Sequence, residues 1–137
     1  MRNKSAFTLL EILVVVGLIG LLTAIGSFGY VNYAQKARDS RRQIDMQQLR
    51  SALELYRSNN SEGVYPTAAE YGSGTSSVLV SSGLVQTIPV DPRGAAYTYT
   101  PLPAGCDNTS NYCTSYTLQT TLEVTSQPYI VTPMSIK

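Results

Sequence analysis

Three sets of side chains in this sequence are of types that could do chemistry rather than only fill space. Glu11 is set into an apolar run, Cys106 and Cys113 stand seven apart, and Lys36, Arg38, Arg41 and Arg42 form a basic group just beyond the run. Histidine is absent. That removes the imidazole base of Ser-His-Asp and Cys-His mechanisms and the usual nitrogen ligand of zinc. A Ser-Lys dyad would have to use one of three lysines, of which Lys4 and Lys36 flank the apolar run and Lys137 is the last residue. The expectation is that the protein is not an enzyme, and no catalytic residue is assigned.

Glu11 needs a partner. An ionised side chain near the end of an apolar helix costs on the order of 2–3 kcal/mol on membrane-insertion scales. Residues 12–15 are Ile, Leu, Val and Val, so no cation lies one turn further along, and upstream only Arg2 and Lys4 are positive. The partner is then either the leader or another molecule. A cut just before Phe7 would leave a new α-amino group four residues from Glu11, and a neighbouring copy shifted along the helix axis would present that amine to the carboxylate. A glutamate snorkelling to the membrane interface is the plain alternative.

The element that must carry Glu11 is a long helix. Residues 7–31 contain a single charge, and residues 12–31 supply the roughly 20 apolar positions needed to cross about 30 Å of hydrocarbon at about 1.5 Å per residue. A secretory signal peptide is the competing reading, with Ala24-Ile25-Gly26 at a cleavage spacing, but its apolar part should be only about 7–15 residues long. Residues 37–57 lack Gly and Pro, and Met46, Leu49, Leu53 and Tyr56 recur on one helix face with Ala52 beside them. Arg41 with Asp45 and Arg50 with Glu54 make i,i+4 pairs of opposite charge. Asn59, Asn60, Ser61 and Gly63 end the pattern, so one rod from Phe7 to about Asn60, about 80 Å long, is expected. The basic group reads as a solvated helix face, with DNA or acidic lipid headgroups as the alternative partners.

The two halves differ in kind. Of 137 residues 14% are charged, 12 of the 19 charges fall in residues 1–60, and residues 61–137 hold 22 Ser and Thr. The length suits one domain, the net charge of +1 gives no general nucleic-acid footprint, and the second half has β-rich composition. A connection of about 30 residues from Tyr65-Pro66 is long enough that it should pack, with a strand or helical turn near residues 77–85. Turn residues at 88–94 precede an alternation over 97–100. Residues 115–123 are the cleanest strand, with Tyr116, Leu118 and Leu122 on one side, and residues 128–131 make a third. The helix stripe is the surface on which such a small antiparallel sheet would lie.

Cys106 and Cys113 sit in a polar segment between two expected strands. With two cysteines and no histidine, a disulfide is favoured over a zinc site or a pair of free thiols, and it places this half outside a reducing compartment. Asp107, Asn108 and Asn111 carry oxygens of the kind calcium takes, without EF-hand spacing, so the metal is left unassigned and no cofactor is expected.

Lys4-Ser5-Ala6-Phe7-Thr8-Leu9-Leu10-Glu11 followed by the apolar run resembles the class III leader and N-terminal motif of type IV pilins and type II secretion pseudopilins. The resemblance implies an α+β, pilin-like chain. A prepilin peptidase would cut between Ala6 and Phe7, Phe7 would be N-methylated, and Glu11 would dock against Phe7 of the neighbouring subunit. Ala6 departs from the Gly usual before the cut. Tyr65-Pro66, Asp91-Pro92-Arg93-Gly94 and the helix at residues 49–57 look most like a major pseudopilin. Pilins, by contrast, often close a C-terminal loop with a disulfide where major pseudopilins usually hold calcium.

The organisation expected is a leader at 1–6, a transmembrane and filament-core helix at 7–31, its amphipathic continuation at 32–60, a connecting segment at 61–95 and a sheet with a disulfide loop at 96–137. The product would be a filament subunit, either of a pilus or of a secretion pseudopilus. Its partners would be further copies, other pilins or pseudopilins, the peptidase, an inner-membrane assembly platform and membrane lipid, with DNA the weakest. It would enter the bacterial membrane as a single-pass precursor and end in an extracytoplasmic or cell-surface filament. Positive-charge counting alone would put the second half in the cytoplasm, whereas the cysteines and the leader point outward. A single-pass anchored binding domain that never polymerises is the rival from another class.

Overall fold

The structure is a computed structural model that describes residues 7–134, the side chains of residues 27–29 excepted. The element order is α1 (Leu9–Asn59), α2 (Ala68–Tyr71), a 3-10 turn (Gly74–Ser76), α3 (Val78–Ser81), β1 (Thr98–Leu102), β2 (Ser115–Thr121) and β3 (Pro128–Val131). This is an α+β, pilin-like layout: a long N-terminal apolar helix, then a small antiparallel sheet. The chain divides into two compact units, Met1–Gln35 and Lys36–Lys137.

Helix α1 starts at Leu9, two residues later than the expected rod, because Thr8 closes its N-terminus. The Thr8 hydroxyl accepts the Glu11 N–H at 3.3 Å and the Thr8 carbonyl accepts it at 3.1 Å, which occupies a donor that the first turn leaves free. The helix runs 51 residues without a proline. At its far end Gly63 takes φ +64°, the left-handed conformation that glycine adopts without steric cost, and its carbonyl accepts Arg57 Nε at 3.0 Å. In the first unit the helix is long and apolar enough to cross a membrane, and the most apolar window, of mean hydropathy 2.5, is wholly unburied.

The second unit has its own core. Met46, Leu49, Ala52 and Leu53 of α1 are buried, and they pack with Tyr116 and Leu118 of β2 and Val131 of β3. The sheet order is β1-β2-β3, antiparallel throughout, with Tyr99 opposite Leu118, Pro101 opposite Tyr116 and Leu118 opposite Val131. Because side chains alternate along a strand, this register puts Tyr99, Pro101, Tyr116, Leu118 and Val131 on one face. Pro101 lacks a backbone N–H and is tolerated because β1 is an edge strand. β2 ends at Thr121, short of the expected residue 123, since the Leu122 N–H turns to the Gln127 carbonyl at 3.0 Å.

The connecting segment packs as three short helical turns. Thr67 and Glu70 make a reciprocal capping box at α2, and the Ser77 hydroxyl caps α3 through the Leu79 N–H. These turns bury Tyr71 and Leu79. Tyr71 stacks on Tyr99 with ring centroids 4.1 Å apart, and Tyr65 meets Tyr116 edge-on at 4.8 Å, so the core is unusually aromatic for a chain without tryptophan.

Two electrostatic expectations need correction. Arg41 and Asp45 do pair, at 3.7 Å. Among the described residues, though, no ion pair joins Arg50 to Glu54, because Glu54 is turned to tertiary partners and accepts Tyr65 Oη at 3.0 Å and the Met134 N–H at 3.0 Å. Nor is the whole basic group a solvated face: Lys36 and Arg41 are exposed, but Arg42 is 2% exposed and Arg38 is tied to Glu123.

Candidate functional site

The first unit places Glu11 in the opening turn of α1, three residues after its capping threonine. Its carboxylate therefore lies near the positive end of the helix dipole. Among the described residues no ion pair reaches Glu11. Phe7 is 74% exposed, and Leu9, Leu10 and Ile12 around Glu11 are exposed as well. Phe7, Thr8, Leu9, Ile12, Leu13 and Val16 line a shallow apolar groove on this stretch. Ala6, the residue expected before the cut, lies outside the described residues.

The second unit holds a buried ionic knot that the sequence reading did not anticipate. Arg42 Nε and Nη2 bind Asp91 Oδ2 and Oδ1 at 2.5 and 2.9 Å, Nη1 binds Asp39 Oδ1 at 2.6 Å, and Nη2 also meets Glu123 Oε1 at 2.7 Å. Arg38 grips Glu123 with two bonds of 2.8 and 2.7 Å, and Arg93 Nη2 reaches the same carboxylate at 2.9 Å. Asp39 accepts the N–H groups of Glu123 and Val124 at 2.8 and 2.9 Å. Three arginines thus face three carboxylates, and the charges balance.

Local folding puts each group there. Asp39 and Arg42 are one helical turn apart. Asp91 heads a tight turn in which Gly94, at φ +89°, returns its N–H to the Asp91 carbonyl at 2.7 Å, and the Asp91 carboxylate accepts the Arg93 N–H at 2.8 Å. The field is mutual. The guanidinium of Arg42 holds the Asp91 carboxyl below its ordinary range against the opposing effect of burial. Burial would push Asp39 up, but the two N–H donors and Arg42 together hold it down. Hydrogen bonds from Arg38, with Arg42 adding to them against burial, bring Glu123 down to about 2. The Arg42 guanidinium is raised in turn by Asp91.

Cys106 and Cys113 are joined by a disulfide, with Cα atoms 5.2 Å apart. The loop they close is organised by its own polar residues. Asp107 Oδ1 accepts the N–H groups of Thr109, Ser110 and Asn111, each at 2.9 Å, and those donors, that of Asn111 foremost, lower its carboxyl. Asn108 Oδ1 accepts the Cys113 N–H at 2.8 Å while its Nδ2 donates to the Tyr65 carbonyl at 2.8 Å. Oxygens of the kind calcium takes thus serve backbone N–H groups here: those of Asp107 and Asn108 as above, and the Asn111 carbonyl, which accepts the Asp107 and Asn108 N–H groups at 2.9 and 3.2 Å. Among the described residues no group of three or more His, Cys, Asp or Glu is placed to hold a metal ion.

The sequence did carry one signal for the knot. Residues 61–137 have only seven charges, and Asp91, Arg93 and Glu123 are three of them. In a half so poor in charge, three ionised residues that converge on one helix are more than surface decoration.

Residues 1–27 match the prokaryotic N-terminal methylation motif. No curated protein and no solved structure matches the chain. The match takes in residues 1–6 and most of the apolar run that opens α1, and it supports a class III leader like that of type IV pilins and pseudopilins.

Proposed function

From an N-terminus of the pilin and pseudopilin kind, we propose that the chain is a structural subunit of a type IV pilus-like filament. The prepilin peptidase cuts between Ala6 and Phe7 and the new N-terminus of Phe7 is methylated. Helix α1 then leaves the bilayer to pack among copies of itself, and the sheet domain is carried outside the cytoplasm. The observation that supports this reading is the first unit's helix, whose described apolar side chains are exposed. An anchor needs only lipid around such a helix. Glu11 in its first turn is the feature lipid does not explain, and a neighbour's amine would satisfy it. A head-to-tail contact of this sort does not close on itself, which is how one protein makes a filament.

The disulfide loop favours a pilus, while the Tyr65-Pro66 and Asp91–Gly94 segments keep a type II secretion pseudopilin as the second reading. We assign no catalytic role to any residue. The test is Glu11→Ala, which makes membrane insertion easier and removes the docking charge. The variant should still insert and lose its first six residues but build few or no filaments under electron microscopy. Filaments normal in number and length would return Glu11 to a snorkelling role.

A further inference from the structure

No strand of the described sheet contains a charged residue: β1 is Thr-Tyr-Thr-Pro-Leu, β2 is Ser-Tyr-Thr-Leu-Gln-Thr-Thr and β3 is Pro-Tyr-Ile-Val. The inner face packs with Leu49 and Leu53 of α1. On the face away from them the register brings together Thr98, Thr100, Thr117, Gln119, Thr121 and Ile130, with Thr100 opposite Thr117 and Gln119 between Thr98 and Ile130. Thr98, Thr100, Gln119 and Thr121 are exposed, and Ile130 is 52% exposed. The edges are guarded against an added strand, because β1 and β3 are short and Pro101 and Pro128 lack the N–H that such a strand would use. The open face has no charge to keep a second such face away.

We propose that this face is a contact of the chain with itself: sheets of copies in adjacent filaments meet face to face and draw the filaments into bundles. The inference rests on assembly of the chain into filaments and adds a contact separate from the one at Glu11. Another copy fits the face in charge, symmetry and size. Two uncharged faces meet without repulsion, and sheets pack face to face about 10 Å apart. The same patch on both partners closes a pair, which joins two filaments instead of extending one. Three short strands spaced about 4.8 Å apart present on the order of 250 Å². That is well under the roughly 800 Å² per partner of a stable complex, so one contact does not hold two free chains, whereas a row of them along two filaments does. A neutral glycan fits less well, because Tyr99, Tyr116 and Tyr129 all turn to the inner side and leave no ring on the open face for a sugar to lie on.

The test shears filaments from cells, sediments them at low speed and views them by electron microscopy. Wild-type filaments should lie in bundles and sediment. Thr100→Lys/Gln119→Lys should give as many filaments, lying singly, and the sedimenting fraction should fall by at least about tenfold, since every contact in the row then opposes like charges. Thr100→Glu/Gln119→Glu filaments should also lie singly, and an equal mixture of the two variants should bundle again, which a misfolded second unit would not do. If the lysine pair lowers the number of filaments itself, Ile130→Lys alone decides. Wild-type filaments that lie singly, bundles untouched by the lysines, or bundles that a glycosidase disperses overturn the proposal. A wild type that makes no filaments overturns the filament reading and this one with it.

Discussion

Arg42 and Asp91, 49 residues apart in the chain, meet through two hydrogen bonds of 2.5 and 2.9 Å inside the protein. The contact fixes the turn at Asp91–Gly94 onto the helix, and Glu123, two residues past β2, reaches the same guanidinium. Burial makes the arrangement costly to break, because each charge has given up water and is balanced only by the others.

Removing Arg42 should therefore do more damage than removing a core methyl group. Arg42→Met leaves Asp39, Asp91 and Glu123 without their shared cation and should cost about 3–5 kcal/mol of stability in the second unit. Denaturant unfolding followed by tyrosine fluorescence measures it. A loss below about 1 kcal/mol would class the knot with ordinary surface ion pairs.

Acid should loosen the same contacts. Asp39, Asp91 and Glu123 are all held below their unfolded ranges, so they bind fewer protons folded than unfolded, and their stabilisation is present at neutral pH and lost as pH falls. The window for Glu123 runs from its ordinary 4.5 down to about 2. Glu123→Gln should flatten the stability profile over that interval, and an unchanged acid limb would show that Glu123 is not one of the groups responsible.

The disulfide closes a short loop, which should stabilise the second unit by roughly 2–3 kcal/mol through restriction of the unfolded chain. Its loss should act locally, through Asn108 on Tyr65 and Cys113. Cys106→Ser/Cys113→Ser is expected to insert and be processed normally, with the first protease cuts falling between residues 101 and 116. Cuts that begin instead within residues 46–53 would place the disulfide's influence in the core.

Much of the fold could be read from local pattern. β3 falls at residues 128–131 as expected, and Met46, Leu49 and Leu53 are buried by the periodicity that singled them out, since period and burial are both local consequences of apolar spacing. The true start of α1 is also written locally, in Thr8-Leu9-Leu10-Glu11, which has the spacing of a helix cap. The knot was harder. Lys36, Arg38, Arg41 and Arg42 look alike in sequence, and what separates buried Arg42 from exposed Arg41 is a carboxylate 49 residues away. The expected partner of Glu11 belongs to a second copy, so one chain's geometry shows its helix position and its exposed surroundings.

On the proposed function, a cut between Ala6 and Phe7 releases this helix into a filament. Intact mass and N-terminal fragmentation of the protein extracted from membranes and from sheared surface material test it most directly. The expected result is a chain that begins at Phe7 in both fractions, with one methyl group on its α-amine, and an uncut precursor when Ala6 is replaced by a bulky residue. A mature protein that still begins at Met1 and is confined to the membrane would contradict it, and would leave a single-pass anchored domain in its place.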